Sequence, residues 1–179
     1  MANSWQSYFP AGDWESQHYC VRLDEVSEAL FRMGEAPLWP PPAHDLLTIR
    51  VTVIPRWSFA RCVRVVEDGA RCLLSGRSLD GEEAAYELGK LHREVDRVLT
   101  TDEARSVIHM WRHLRFESLA AVDPDDVDDD SSTVIEAVRA GRYHAVRRDR
   151  IDFGDTYGEF SELLQKLAGF DPPGPFEPD

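Results

Sequence analysis

The chain has 179 residues, 42% of them hydrophobic, with 33 acidic against 20 basic side chains and a formal net charge of −13. That length fits one domain that buries roughly two thirds of its unfolded surface, and the composition excludes a disordered chain. The acidic balance argues against a nonspecific grip on nucleic acid or an anionic membrane, and it suits a basic partner.

Residues 1–12 read as an irregular arm that Trp5, Tyr8 and Phe9 tack onto the core. Asp13 can cap a helix running to about Met33, because Tyr19, Leu23, Val26, Leu30 and Met33 step by four, three, four and three. Those steps make one buried stripe. Gly34 is the expected stop, reinforced by Pro37. The segment PLWPPPAH at 37–44 is a stiff, polyproline-like connector. Leu47–Ile54 reads as a strand that Pro55 ends, and Phe59–Val66 with Ala70–Leu74 as a hairpin around Asp68-Gly69. Ser78–Glu87 is a polar loop. Gly89–Leu99 alternates in the manner of a half-buried strand, and Arg93 and Arg97 on its apolar side place it near an edge.

Thr100 and Glu103 offer a capping box for a helix to about Glu117 that buries Ala104, Val107, Ile108, Trp111 and Leu114. Asp123–Asp130 is a loop holding six Asp. Ser131–Arg150 is a hairpin in which Thr133–Val138 and Arg142–Arg147 flank Ala140-Gly141. With a three-residue loop, Arg139-Ala140-Gly141, Glu136 falls opposite His144, Val138 opposite Arg142 and Ala137 opposite Tyr143. A two-residue loop would slip the pairing by one residue and give Glu136 and His144 other partners. Thr156 and Glu159 start a last helix whose Phe160, Leu163, Leu164 and Leu167 face inward, closed by Gly169, and 171–179 is a mobile proline-rich tail. The expected fold is a single α+β domain over 1–179. It has an antiparallel sheet of about five or six strands and three helices packed mainly on one face.

Several phrases carry a resemblance: GEAPLW at 34–39, PRWSF at 55–59, SLDG at 78–81, YELGKL at 86–91, IEAVRAGRYHAVRR at 135–148 and the helix end LAGF. Over about residues 13–170 the chain resembles a family of uncharacterised small bacterial cytoplasmic proteins with no established activity. Similar sequences are expected to place a Trp just before the Glu of the penultimate strand, where Ile135 stands here. The resemblance implies a one-domain bacterial protein and adds no catalytic residue.

Charge is unevenly spread. Six Arg (50, 56, 61, 64, 71 and 77) and five more (139, 142, 147, 148 and 150) fall in the strand regions, while acids gather in the N-terminal third, at 80–96 and at 123–130. Pairing across strands and against helices accounts for this most simply. Cys20, Cys62 and Cys72 form neither a metal spacing nor an even set, no secretory leader is evident, and no run reaches the length of a membrane span. These features read as a reduced, cytoplasmic protein.

Chemistry has few footholds. His109, His113 and Glu117 follow one another at helical spacing, but Met110 stands where a zincin carries Glu. Asp126, Asp128 and Asp130 imitate the start of an EF-hand loop, with Ser131 where Gly belongs and Ala137 where the bidentate Glu belongs. No metal site and no cofactor are expected. Glu136 and His144 are the candidate acid/base pair, with cross-strand charge pairing as the ordinary alternative. Cys62 and Cys72, on two arms of one hairpin, are expected as buried thiols. The sequence therefore reads as a noncatalytic acidic binding protein, an inhibitor or immunity-type partner of a basic toxin or enzyme. Its docking residues would be Asp125, Asp126, Asp128, Asp129 and Asp130. The alternatives are a small hydrolase or transferase using Glu136 and His144, and a self-associating structural subunit.

Overall fold

A computed structural model of the chain describes residues 8–10, 23–42, 46–55, 58–69, 71–81, 87–122, 131–149 and 154–170. The elements, in chain order, are α1 (Leu23–Arg32), β1 (Leu47–Pro55), β2 (Arg61–Asp68), β3 (Arg71–Leu79), β4 (Leu91–Val98), α2 (Thr101–Leu114), β5 (Ser131–Arg139), β6 (Arg142–Arg148) and α3 (Thr156–Leu167). A short 3₁₀ turn, Phe116–Ser118, follows α2. The six strands form one antiparallel sheet in the order β4-β3-β2-β1-β5-β6. This is an α+β fold.

Alternation along the strands builds two cores. Ile49 and Val51 of β1, Val63 and Val65 of β2, and Ile135 of β5 share one face with residues of α2 and α3. The opposite face gives Ile54, Cys62, Leu79 and Val134 to a second core with Val26, Ala29 and Leu30 of α1 and with Tyr8 and Phe9. Packing of the helices mainly on one face is not confirmed: α2 and α3 cover one side and α1 the other. Central β1 is therefore buried along its whole length.

The helix ends follow their local chemistry. The Thr100 side chain accepts from the Glu103 backbone N–H at 3.3 Å and Glu103 accepts from the Thr100 N–H at 2.8 Å, completing the capping box. At the end of α1, Gly34 has φ 71° and the Glu35 N–H returns to the Leu30 carbonyl at 3.0 Å, so glycine's freedom closes the helix as expected. Helix α2 is shorter than expected. Arg115 takes the left-handed conformation at φ 49° after Leu114, and Glu117 lies in the 3₁₀ turn. The α3 cap is Asp155, whose side chain accepts from the Gly158 N–H at 2.6 Å, one residue before the expected start. The Tyr157 hydroxyl lies 3.0 Å from the carbonyl oxygens of both Thr133 and Val146, which fastens α3 across β5 and β6.

Both hairpins turn in two residues. Arg139 pairs with Arg142 around Ala140-Gly141, and both turn residues have positive φ, 49° and 69°. That is the signature of a type I′ turn, whose twist matches the strands. The three-residue loop expected here does not form, so the register is slipped by one. Asp68 pairs with Arg71, which puts Cys62 opposite Arg77 and Cys72 opposite Glu67. Cys62 thus enters the α1-side core and Cys72 the other one, and both are free thiols.

Candidate functional site

The slipped register decides the chemistry at 136 and 144. Glu136 pairs with Ala145, and His144 with Ala137. Directly opposed residues share a face and sequence neighbours do not, so Glu136 and His144 point to opposite sides of the sheet. The expected acid/base pair does not form, and each residue has its own surroundings.

Glu136 lies on the α1 side at the centre of a buried polar network. Opposite it on β1 stands Arg50, and the side chains of both are 0% exposed. Arg50 Nε donates to Glu136 Oε2 at 2.7 Å, and Arg50 NH2 is also 2.7 Å from that oxygen. A third guanidinium nitrogen, NH1, donates to the Ala36 carbonyl at 2.7 Å. The other Glu136 oxygen accepts from the Tyr143 hydroxyl at 2.9 Å. Glu35, just past the Gly34 cap, brings a second buried carboxylate whose Oε2 is 3.9 Å from Arg50 NH1 and 3.1 Å from Arg64 Nε. The Tyr8 hydroxyl donates to the Glu35 carbonyl at 2.7 Å, and the Arg50 guanidinium lies 5.7 Å from the centre of the Tyr8 ring.

Burial governs the protonation of this cluster. It pushes the Glu136 carboxyl above the usual carboxylate range, while the charge and hydrogen bond of Arg50 and the Tyr143 hydroxyl pull it back. Burial works against the Arg50 charge, but Glu136, Cys62 and Glu35 together outweigh it and raise the guanidinium above its ordinary value. The Tyr143 phenol is raised, first by burial and then by Glu136. Cys62, beside this network, has its thiol pushed up, chiefly by burial, and is therefore a poor nucleophile. Both Glu136 oxygens are engaged, by Arg50 and Tyr143, and the side chain is wholly buried, so Glu136 presents no face to a substrate.

His144 lies on the other side, half-buried against Phe116, with ring centres 5.0 Å apart. Its Nε2 is 3.1 Å from the Leu119 carbonyl oxygen, which can only accept, so Nε2 carries the hydrogen. The ring borders a cavity of 190 Å³ at the turn end of the β5–β6 hairpin, lined also by Leu47, Phe116, Glu117, Arg139 and Arg142. The carboxylate that shares a cavity with His144 is thus Glu117. A second, wider hollow of 520 Å³ adjoins it through Glu117 and Arg139 and is lined further by Trp111, Arg112, Arg115 and Ser118.

The remaining candidates are dispersed. His109 and His113 are exposed on α2, and no group of three or more His, Cys, Asp or Glu among the described residues could hold a metal. Asp125, Asp126, Asp128, Asp129 and Asp130 lie outside the described residues, as do Cys20 and the 171–179 tail. No helix among the described residues is long and apolar enough to cross a membrane.

Sequence reasoning missed Arg50 and Glu35 as a pair of anchors. The signal was there: Arg50 sits in the middle of LTIRVTVI, an otherwise apolar strand, and a buried cation demands a buried acid. Tyr143 was passed over because the expected register put it opposite Ala137. Compared with known proteins, the chain matches no family model and no curated sequence.

Proposed function

We propose that the protein acts by binding rather than by catalysis, as an acidic bacterial cytoplasmic inhibitor or immunity-type partner of a basic toxin or enzyme. The observation that carries this reading is the fate of Glu136. The best catalytic candidate in the chain is committed to Arg50 and Tyr143 inside the α1-side core, and His144 faces away from it. The ionised groups of the interior hold the sheet together, which leaves the surface to do the work. That surface belongs to a chain with a net charge of −13, and Asp125, Asp126, Asp128, Asp129 and Asp130 directly precede central strand β5 in sequence. Concentrated acid speeds encounter with basic proteins and sets specificity.

The test is partner capture from the source cell followed by binding kinetics across a salt series. Association should slow markedly as the Debye length shrinks from ~10 Å at 0.1 M to ~3 Å at 1 M. Replacing those five Asp with Asn and Ser should cut the on-rate far more than it changes thermal stability. A captured partner whose on-rate ignored both salt and the substitutions would remove the acidic segment as the docking surface.

A further inference from the structure

Two sets of arginines differ in their surroundings. Arg50, Arg64, Arg77, Arg97 and Arg147 each sit against a carboxylate. Among the described residues, Arg112, Arg115, Arg139 and Arg142 make no ion pair, and all four line the two adjoining hollows at the turn end of β5–β6. Their placement is costly. Arg139 and Arg142 are directly opposed across the last rung of the hairpin, where like charges destabilise a sheet. Arg112, with His113, already gives the last turn of α2 the positive charge that complements its dipole. Arg115 then adds another cation from a left-handed backbone position. Four arginines from a helix end and a hairpin turn thus line the two adjoining hollows, with one carboxylate, Glu117, among them. In a chain this acidic, such a concentration of unpaired positive charge is a recognition feature.

We infer that this groove is a binding site for a small phosphorylated ligand, independent of the acidic segment proposed above. Planar guanidinium forks match phosphate oxygens two at a time. A phosphomonoester brings about −1.5 to −2 charges and a diphosphate more, which suits the excess of arginine over Glu117 better than a single carboxylate would. The 190 Å³ cavity beside the arginines is bordered by the half-buried His144 ring with Leu47 and Ala137, so it offers a small seat for the uncharged part of such a ligand. The phosphate end would lie toward Arg115, Arg139 and Arg142.

Calorimetric titration of the full chain with pyrophosphate, ADP and adenosine, without divalent metal at low salt, tests this. Pyrophosphate and ADP should bind, ADP more tightly, while R139Q/R142Q and R112Q/R115Q should each weaken both by about tenfold or more, the equivalent of one lost charged hydrogen bond. The four side chains are exposed, so R139Q/R142Q should keep or exceed the parent's melting temperature, and R112Q/R115Q, which removes charge from the C-terminal end of α2, should lower it only slightly. Absence of binding by pyrophosphate and ADP at about 1 mM would overturn the proposal. So would equal binding by the variants, or an acidic peptide that bound this groove more tightly than either phosphate compound and lost binding in the same variants.

Discussion

Arg50 shows how a single residue can set what a protein is able to do. Its charge is fully buried, so Glu136 is needed to compensate it, and that need removes Glu136 from any surface chemistry. Breaking the pair from one side leaves an uncompensated charge. Glu136→Leu should therefore cost about 3–5 kcal/mol in denaturant unfolding, whereas Arg50→Met with Glu136→Leu should cost much less than the sum of the singles. An additive double mutant would mean that the two residues stabilise the sheet separately. Glu103 gives a pH signature. Hydrogen bonds from Arg97 and then from the Thr100 backbone hold its carboxyl down at about 2. Because the folded value lies below the unfolded one of about 4.3, the stabilisation is complete above that value and is lost as pH falls toward about 2. Glu103→Gln should flatten the stability profile across that window, and a profile unchanged there would sink the assignment. At this scale the sequence was half readable. Arg50 is a lone charge within strand β1, but its partner Glu136 is set by the β1–β5 pairing, which no local signal gives, and Tyr143 was hidden by a β5–β6 register off by one residue.

That slip belongs to the scale of elements, where the turn decides which face every side chain joins. Ala140 occupies a positive-φ position, 49°, that a side chain tolerates poorly. The expected three-residue loop used Gly141 as its one left-handed residue. The observed turn bends both residues instead, and pairing through Arg139 and Arg142 puts the Tyr143 hydroxyl on Glu136 and Val146 opposite Ile135 in the helix-side core. Ala140→Gly should relieve the strain and raise stability by about 0.5–1 kcal/mol, measured as a higher denaturant midpoint. A fall would show that Ala140 is not strained. Strand β3 was read too short for a related reason. Ser75–Ser78 looks like loop, yet Arg77 pairs with Asp96 on β4 at 2.9 Å and Gly76 lies under the end of α3. A Cβ at Gly76 would stand 2.9 Å from the Ala168 Cβ and 3.2 Å from the Phe170 ring. Gly76→Ala should cost about 1–3 kcal/mol by pushing α3 off the sheet. The capping box and Gly34 stop were legible because each depends on residues within one turn. The division of helices between two faces was not, since the α1-side face of the central strands carries Thr48, Arg50, Thr52 and Arg64 and does not read as a core.

For the whole molecule the balance is between paired and unpaired charge. A net charge of −13 on 179 residues makes the compact state repel itself, and unfolding spreads those charges apart. Against this stand the ion pairs, and their positions decide how salt acts on them. Arg50–Glu136 and Arg147–Asp149 are sealed inside, with side chains at most 1% exposed, so mobile ions screen them little. Arg105–Asp102 is open to solvent and contributes at most about 1 kcal/mol at any salt. Added salt therefore weakens the long-range repulsion more than it weakens the attractions that matter. The local arginine excess at the β5–β6 turn obeys the same rule, because Arg139 and Arg142 repel each other across one rung. Raising sodium chloride from 0.01 M, where the Debye length is about 30 Å, to 0.15 M, where it is about 8 Å, should raise the melting temperature. Most of the gain should come in that interval, with little beyond it, since repulsion between charges more than a Debye length apart is by then removed. R139Q/R142Q should retain nearly all of the salt effect, because it leaves the acidic surface untouched. A melting temperature that fell steadily with salt would show instead that exposed ion pairs, and not net repulsion, dominate the electrostatics of the fold.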